Sequence, residues 1–179
     1  MIADPRVFDD EFIPRELLHR EAELEQLLRR FATTHAIEDD ALISGPSGVG
    51  KTLFAQKALD RFARRTDIDR VFINSLGKTT AGIFRAILEA HPNGPSDVTR
   101  TTPTDDLRRK LRDVVDDETI VVLDEGDDLP ETNAVDELLG VPNLAIVAIV
   151  HDGTDWLSQL DVDAGHRIER GHVQLRRYS

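Results

Sequence analysis

The chain has 179 residues, a length that fits one domain and excludes two of full size. Its 40% hydrophobic and 31% charged residues are typical of a globular protein, and the absence of cysteine excludes disulfides, thiolate metal sites and cysteine nucleophiles. The formal net charge of −12 disfavours binding to nucleic-acid phosphates. The longest apolar run, residues 144–150, is too short for a membrane span and no secretory leader pattern opens the sequence, so we expect a cytoplasmic protein that binds no membrane.

Helical and strand patterns alternate along the chain. Apolar residues spaced three and four apart predict an amphipathic helix over about 17–31. Beyond it, the pattern predicts strands at 41–44, 71–74, 120–123, 144–150 and, weakly, 172–175, helices at about 51–65, 79–90 and 104–115, and a loop at 91–103. The strands at 120–123 and 144–150 are apolar throughout, which is typical of a parallel sheet covered on both faces. We therefore predict an α/β fold with three layers, αβα, and right-handed crossovers.

The segment GPSGVGKT at 45–52 matches the phosphate-loop pattern G-x-x-x-x-G-K-[ST] at every fixed position. It follows a predicted strand and begins a predicted helix, so its glycines and the positive helix end face the same bound anion. Lys51 is expected to reach the β- and γ-phosphates, and Thr52 to offer a hydroxyl to Mg²⁺. The predicted nucleotide-binding residues of this region are Gly45, Pro46, Ser47, Gly48, Val49, Gly50, Lys51, Thr52 and Leu53. The segment indicates a P-loop NTPase fold.

Two carboxylates, Asp124 and Glu125, follow the apolar run 120–123. In a parallel sheet the carboxyl ends of the strands meet at one edge, so both acids should lie near the phosphate loop. Asp124 is expected to hold Mg²⁺ through its water shell, and Glu125 to act as the general base for an attacking water. The sequence thus predicts a site for a nucleotide with Mg²⁺.

These motifs, together with FIPRELLHRE at 12–21, resemble the AAA+ module of the replication initiators of the origin recognition complex and cell-division-cycle-six family. Members carry roughly Y-I-P-x-x-L-x-H-R-E before the first helix, and D-E-I-D-x-L where this chain has DEGDDL at 124–129. The resemblance implies ATP as the nucleotide and places Ile13 and Pro14 at the adenine pocket, although a packing arm would also explain them. It also implies a five-stranded parallel sheet of order 5-1-4-3-2.

In that sheet the residue after Val150 lies beside the γ-phosphate, where AAA+ proteins usually have an asparagine. Here the residue is His151, and the resemblance adds it to Glu125 and Lys51 as a predicted catalytic residue, with a solvent-facing His151 as the alternative. A neutral histidine can hydrogen-bond a phosphate oxygen or the attacking water. Arg167 is the nearest candidate for an arginine finger, but its spacing differs from that in the family.

The resemblance also implies a domain division, with an N-terminal arm at 1–11 and an AAA+ core at 12–179 that lacks the helical lid and the winged helix of the family. We expect slow ATP hydrolysis unless a partner, such as a full-length initiator or another AAA+ homologue, supplies arginines. Origin DNA should bind weakly, or only through such a partner, because the basic clusters are short and scattered among acids.

Two alternatives remain open for the function. The chain could be a non-catalytic, nucleotide-dependent regulatory or interaction module, or an ATPase of another P-loop class, such as a transposition-linked or signalling enzyme. A guanine-nucleotide enzyme is disfavoured, since the chain has no Asn-Lys-x-Asp base reader. The aspartate-rich, lysine-poor composition resembles that of proteins from salt-loving archaea, in which high salt screens self-repulsion.

Overall fold

The computed structural model describes residues 20–32, 40–64, 66, 68–116 and 118–177. Strands and helices alternate through these residues from the first strand onward. The strands are β1 (Ala41–Ser44), β2 (Asp69–Asn74), β3 (Thr119–Asp124), β4 (Leu144–Val150) and β5 (His172–Gln174). The helices are α1 (Glu21–Ala32), α2 (Lys51–Ala63), α3 (Thr80–Ala90), α4 (Thr104–Val114), α5 (Asn133–Leu139), α6 (Gly153–Ser158) and α7 (Val162–Glu169).

The five strands form one sheet in the order β2-β3-β4-β1-β5, and all neighbouring pairs are parallel. Read from the other side, this is the predicted order 5-1-4-3-2, so both the fold class and the strand order are confirmed. Ser44 lies opposite Val150, and Asn74 lies opposite Asp124. The segments that follow β1, β3 and β4 therefore leave the sheet at the same edge.

Side chains of the central strands are buried on both faces of the sheet, as their apolar sequences predict. In β4, Ile146 and Ala148 contribute to the core that packs under α3–α7, whereas Val147 and Ile149 contribute to the core under α1 and α2. All seven residues of β4 are buried. The sheet is thus the middle layer of three, with helices packed on both of its faces.

Three short helices, α5, α6 and α7, were not predicted from the sequence. They have six to eight residues each, which is too short for a helical repeat to stand out from neighbouring turns. Two of them begin at an aspartate: before α6, Asp152 accepts a hydrogen bond from the backbone N–H of Asp155, and before α7, Asp161 accepts one from that of Val162.

A buried ion pair fixes the amino edge of the sheet, opposite the phosphate loop. Asp40, which precedes β1 and is fully buried, accepts a hydrogen bond from the backbone N–H of Ile146 and pairs with Arg167 at 2.5 Å. Burial raises the pKa of Asp40 to about 6, against the opposing effects of these two partners. Arg167 also donates to the carbonyl of Leu139, so α7 is tied to this edge of the sheet.

Candidate nucleotide site

The glycine-rich loop between β1 and α2 depends on backbone conformations that favour glycine. Gly48 and Gly50 have φ of 81° and 85°, in the left-handed region. At Gly45 a Cβ atom would collide with the backbone carbonyl of Leu175, which follows β5. The loop therefore turns tightly against the end of the neighbouring strand, and Lys51 begins α2 directly after it.

The ammonium group of Lys51 lies over this loop. Its Nζ donates to the carbonyl oxygens of Gly45, at 2.9 Å, and Pro46, at 3.0 Å. Burial lowers the pKa of Lys51, and the nearby carboxylates of Asp127 and Asp124 oppose that effect. The ammonium group of Lys51 thus lies between backbone carbonyls and acidic side chains. From this position it can exchange its hydrogen bonds to the carbonyls for hydrogen bonds to an anionic ligand.

The hydroxyl of Thr52 and the carboxylate of Asp124 meet directly. Thr52 Oγ1 donates to Asp124 Oδ2 at 2.7 Å, and the other carboxylate oxygen accepts the backbone N–H of Glu125 at 2.9 Å. Hydroxyl and carboxylate oxygens are the hard ligands that Mg²⁺ prefers, and Mg²⁺ usually takes only one or two protein ligands besides water and phosphate.

Glu125 has a backbone conformation that is uncommon for a residue with a side chain. Its φ of 53° and ψ of 44° lie in the left-handed region, which costs about 1–2 kcal/mol. The turn that follows packs on the end of β4, where the indole N–H of Trp156 donates to the carbonyl of Gly126 at 3.1 Å. Trp156 is buried, so the core holds the strained turn in place.

His151 occupies the corner after β4, as predicted. Its backbone N–H and its Nδ1 both bond to Asp127 Oδ2, at 2.7 and 3.0 Å. Nine of the predicted site residues line one cleft of about 360 Å³, whereas Gly45, Pro46 and Val49 do not line it. Its lining is formed by Ser47, Gly48, Gly50, Lys51, Thr52, Leu53, Asp124, Glu125, Ile149, Val150 and His151.

Sequence reasoning assigned no role to Asp127 or Arg20, although the motifs that it quoted contain both. Arg20 is buried and donates to the carbonyls of Arg176, at 2.9 Å, and of Val49, at 3.4 Å. Both residues belong to sequence motifs that lie next to the site, but only the fold shows what each side chain binds. The predicted adenine-pocket residues Ile13 and Pro14 lie outside the described residues.

Arg167, the nearest arginine-finger candidate, does not lie at the cleft. It pairs with Asp40, which precedes β1, whereas the phosphate loop follows β1 at the opposite edge of the sheet. This arginine therefore serves the fold of its own chain. No helix in the described part of the chain is both long and apolar enough to cross a bilayer.

A family model described as the AAA ATPase domain matches residues 16–165, and the chain therefore belongs to this family of ATPase domains. Its relatives within the family include two replication proteins of Halobacterium salinarum. ORC1-type DNA replication protein 1 is 32% identical over 181 residues, with 94% of this chain and 56% of that protein covered. ORC1-type DNA replication protein 9 is 28% identical over 185 residues, with 99% and 52% covered. The chain spans about half the length of these curated relatives, and its resemblance to the initiator family is confirmed.

Several solved structures share the fold of this chain. The structure of CDC6P from Pyrobaculum aerophilum has a TM-score of 0.78 and 23% identity, and covers 99% of this chain and 50% of that one. The Aeropyrum pernix ORC1 protein in complex with DNA has a TM-score of 0.77 and 23% identity, with 97% and 49% covered. The Aeropyrum pernix ORC2 protein, solved as ADPNP and ADP complexes, has a TM-score of 0.74 and 23% identity, with 98% and 53% covered.

Proposed function

We propose that the chain is a Mg²⁺-dependent ATP-binding core that hydrolyses ATP slowly and acts together with a replication initiator. The carrying observation is the 2.7 Å hydrogen bond between Thr52 and Asp124, because it joins the loop hydroxyl to the strand-end carboxylate that a phosphate-bound Mg²⁺ needs. The position of Lys51 over the loop supports the same assignment. ATP is favoured because the similarly folded Aeropyrum ORC2 protein was solved with adenine nucleotides.

The described side chains divide the work of hydrolysis among them. Lys51 and the loop N–H groups stabilise the charge of the triphosphate. Thr52 and Asp124 would hold Mg²⁺, which would supply positive charge to offset that of the phosphates. Glu125 accepts a proton from water as the water oxygen attacks the γ-phosphorus. The bond from that phosphorus to the β–γ bridging oxygen breaks, and the bridging oxygen leaves with the electron pair, so that ADP and phosphate result.

A partner is expected to raise the rate of hydrolysis. Arginines from another chain can stabilise the transferring phosphoryl group by about 10³–10⁵ in kcat, and Arg167 is committed to its own amino edge. The relatives in Halobacterium are replication proteins, which favours an initiator as this partner over a transposition-linked or signalling context. With a net charge of −12, the chain is expected to reach origin DNA weakly or through that partner.

Nucleotide binding is tested first, by titrating labelled ATP with and without Mg²⁺ in salt that keeps the chain folded. Lys51→Ala removes charge-assisted hydrogen bonds to phosphate and should weaken binding by about 10- to 100-fold. Lys57→Ala, on the same helix, is the matched control and should bind as the wild type does. Saturable binding that needs Mg²⁺ and Lys51 supports the proposal, whereas equal binding by both variants contradicts it.

Turnover is tested by measuring phosphate release with and without an added ORC1-type relative. Glu125→Gln should bind ATP normally but lose hydrolysis by about 10²- to 10⁴-fold, because the amide cannot accept the proton. Glu89→Gln, an exposed substitution at the end of α3, controls for the loss of charge. ATP binding without release under either condition would identify the alternative, a non-catalytic module that switches an interaction.

A further inference from the structure

We propose that Asp127 is a positioning residue that fixes the ring of His151, so that Nε2 faces the cleft as an acceptor for the attacking water. This inference rests on the proposed hydrolysis and adds the residue that directs the histidine. It also divides the acidic segment after β3 into three roles. Asp124 binds the metal, Glu125 accepts the proton, and Asp127 orients the water through His151.

The packing of the acidic turn brings Asp127 to His151. A Cβ atom on Gly126 would lie 3.2 Å from Val150 Cγ1 and 3.5 Å from the carbonyl oxygen of Ile149. With hydrogen there instead, the turn can lie directly on the end of β4. As a result the carboxylate of Asp127 reaches the first residue beyond that strand.

The backbone of His151 is held at both of its polar groups. Its N–H donates to Asp127 Oδ2 at 2.7 Å, and its carbonyl accepts the N–H of Gly45, at the start of the phosphate loop, at 3.3 Å. The position of the residue relative to the loop is therefore fixed. Only the rotation of the side chain remains to be set, and the second bond to Asp127 sets it.

The bond from Asp127 to the ring also selects the tautomer. An ionised carboxylate oxygen only accepts hydrogen bonds, so the nitrogen of His151 that lies 3.0 Å from Oδ2, Nδ1, must carry the hydrogen. In the neutral ring, Nε2 then has a lone pair and no hydrogen. A phosphate oxygen also only accepts, whereas water can donate, so the partner of Nε2 in the cleft is the water rather than the γ-phosphate.

With this tautomer, His151 offers different hydrogen bonds from those of an asparagine at the same position. An amide both donates and accepts, so it can bond the γ-phosphate and the water at once. The histidine of this chain takes only a hydrogen bond from water, while the proton itself goes to Glu125. Its contribution should therefore appear in kcat and not in the preference for ATP over ADP.

The carboxylate of Asp127 could act instead through its charge on Lys51, which it influences. The two roles differ in what an amide at position 127 would do. Asp127→Asn keeps an acceptor oxygen for the Nδ1 hydrogen but removes the charge, whereas Asp127→Ala removes both. Retained activity in the first variant and lost activity in the second would mark positioning, and equal losses would mark the charge.

A double-mutant cycle on phosphate release provides the kinetic test. We expect Asp127→Ala and His151→Ala each to lower kcat by at least about 10-fold, and the double variant to be no slower than His151→Ala alone. The affinities for ATP and ADP should stay unchanged in all three, as should kcat in the control Asp128→Ala, an exposed neighbour. Independent, multiplying losses would overturn the assignment while leaving the proposed function intact.

The tautomer can be observed without any turnover. In wild-type protein with ¹⁵N-labelled histidine, long-range proton–nitrogen correlation should show His151 with the hydrogen on Nδ1 and a bare Nε2. Asp127→Asn should keep that pattern, and Asp127→Ala should shift the hydrogen toward Nε2. A wild-type ring protonated on Nε2 alone would overturn the proposal, even if ATP binds and is hydrolysed as described.

Discussion

Both edges of the parallel sheet carry charged and polar side chains, but these are buried and paired at one edge and partly exposed at the other. At the amino edge, Asp40 is buried and paired with Arg167, and buried His91 accepts the N–H of Asn93 while its other ring nitrogen lies 3.2 Å from the Thr119 hydroxyl. At the carboxyl edge, the charged groups line a cleft and are partly exposed. Polar groups in the interior are occupied by one another, whereas those that border a cleft remain available to a ligand.

Removing one partner of the buried ion pair should have the largest effect on stability. Arg167→Met leaves the carboxylate of Asp40 buried without its cation and should cost about 3–5 kcal/mol in the free energy of unfolding at pH 7.5. The affinity for ATP should not change. Urea denaturation measures the effect, and Arg170→Met, exposed at the end of the same helix, is the control. A loss below about 1 kcal/mol would show that the pair does not hold this edge.

The stability of the chain should depend on pH through the buried carboxyl group of Asp40. Because folding raises the pKa of Asp40 from 3.8 to about 6, the folded state binds its proton more tightly than the unfolded state does. This contribution to stability is present below pH 4, declines as the pH rises to about 6, and amounts to about 3 kcal/mol. Asp40→Asn should abolish it, as seen in the difference between denaturation curves across pH 4–7. Asp163→Asn, exposed on α7, should preserve the wild-type slope.

At the carboxyl edge, a comparable substitution should change function more than stability. Thr52→Val removes the hydroxyl that bonds Asp124 and should reduce Mg²⁺-dependent ATP hydrolysis by about 10-fold or more, equivalent to about 1.4 kcal/mol. The melting temperature should shift little, because this hydrogen bond is exposed. Thr52→Ser keeps the hydroxyl and should restore activity. A valine variant with full activity would exclude Thr52 from the metal site.

The smallest expected effect concerns backbone strain at the same edge. Glu125→Gly removes the side chain from a left-handed backbone, so stability should rise by about 0.5–1 kcal/mol while hydrolysis is lost. Glu89→Gly, in helix α3, should instead lose about 1 kcal/mol. Thermal denaturation of both variants measures the difference. If both variants lose stability equally, the turn at Glu125 stores no strain.

Local patterns in the sequence were sufficient to predict the strands and the loop that form the site. The apolar runs predicted the strands to within two residues at the described ends. The glycines of the phosphate loop predicted a tight turn, in which the structure gives Gly48 and Gly50 left-handed conformations. The carboxylates after β3 were correctly expected at the same edge as that loop, because all the strands are parallel. Helices α5–α7 were missed because each is only about two turns long.

Contacts between distant residues were beyond sequence reasoning. The sequence indicated Arg167 only as the arginine nearest to the family's finger position, and the fold places it at the amino edge. Asp127 was visible only as one of several acids in a run. Its role follows from Gly126, whose missing side chain lets the turn lie against β4.

The sequence alone determined the parallel sheet, the phosphate loop and the two acids after β3, since each depends on neighbouring residues in the chain and on the alternation of side chains within an element. Which polar groups form hydrogen bonds or ion pairs with one another depends on the tertiary structure. A hydrogen bond needs its two atoms within about 3 Å, and strand order and core packing set that distance for residues far apart in the chain. That is why Asp40 became a structural anion while Asp124 stayed open to a ligand.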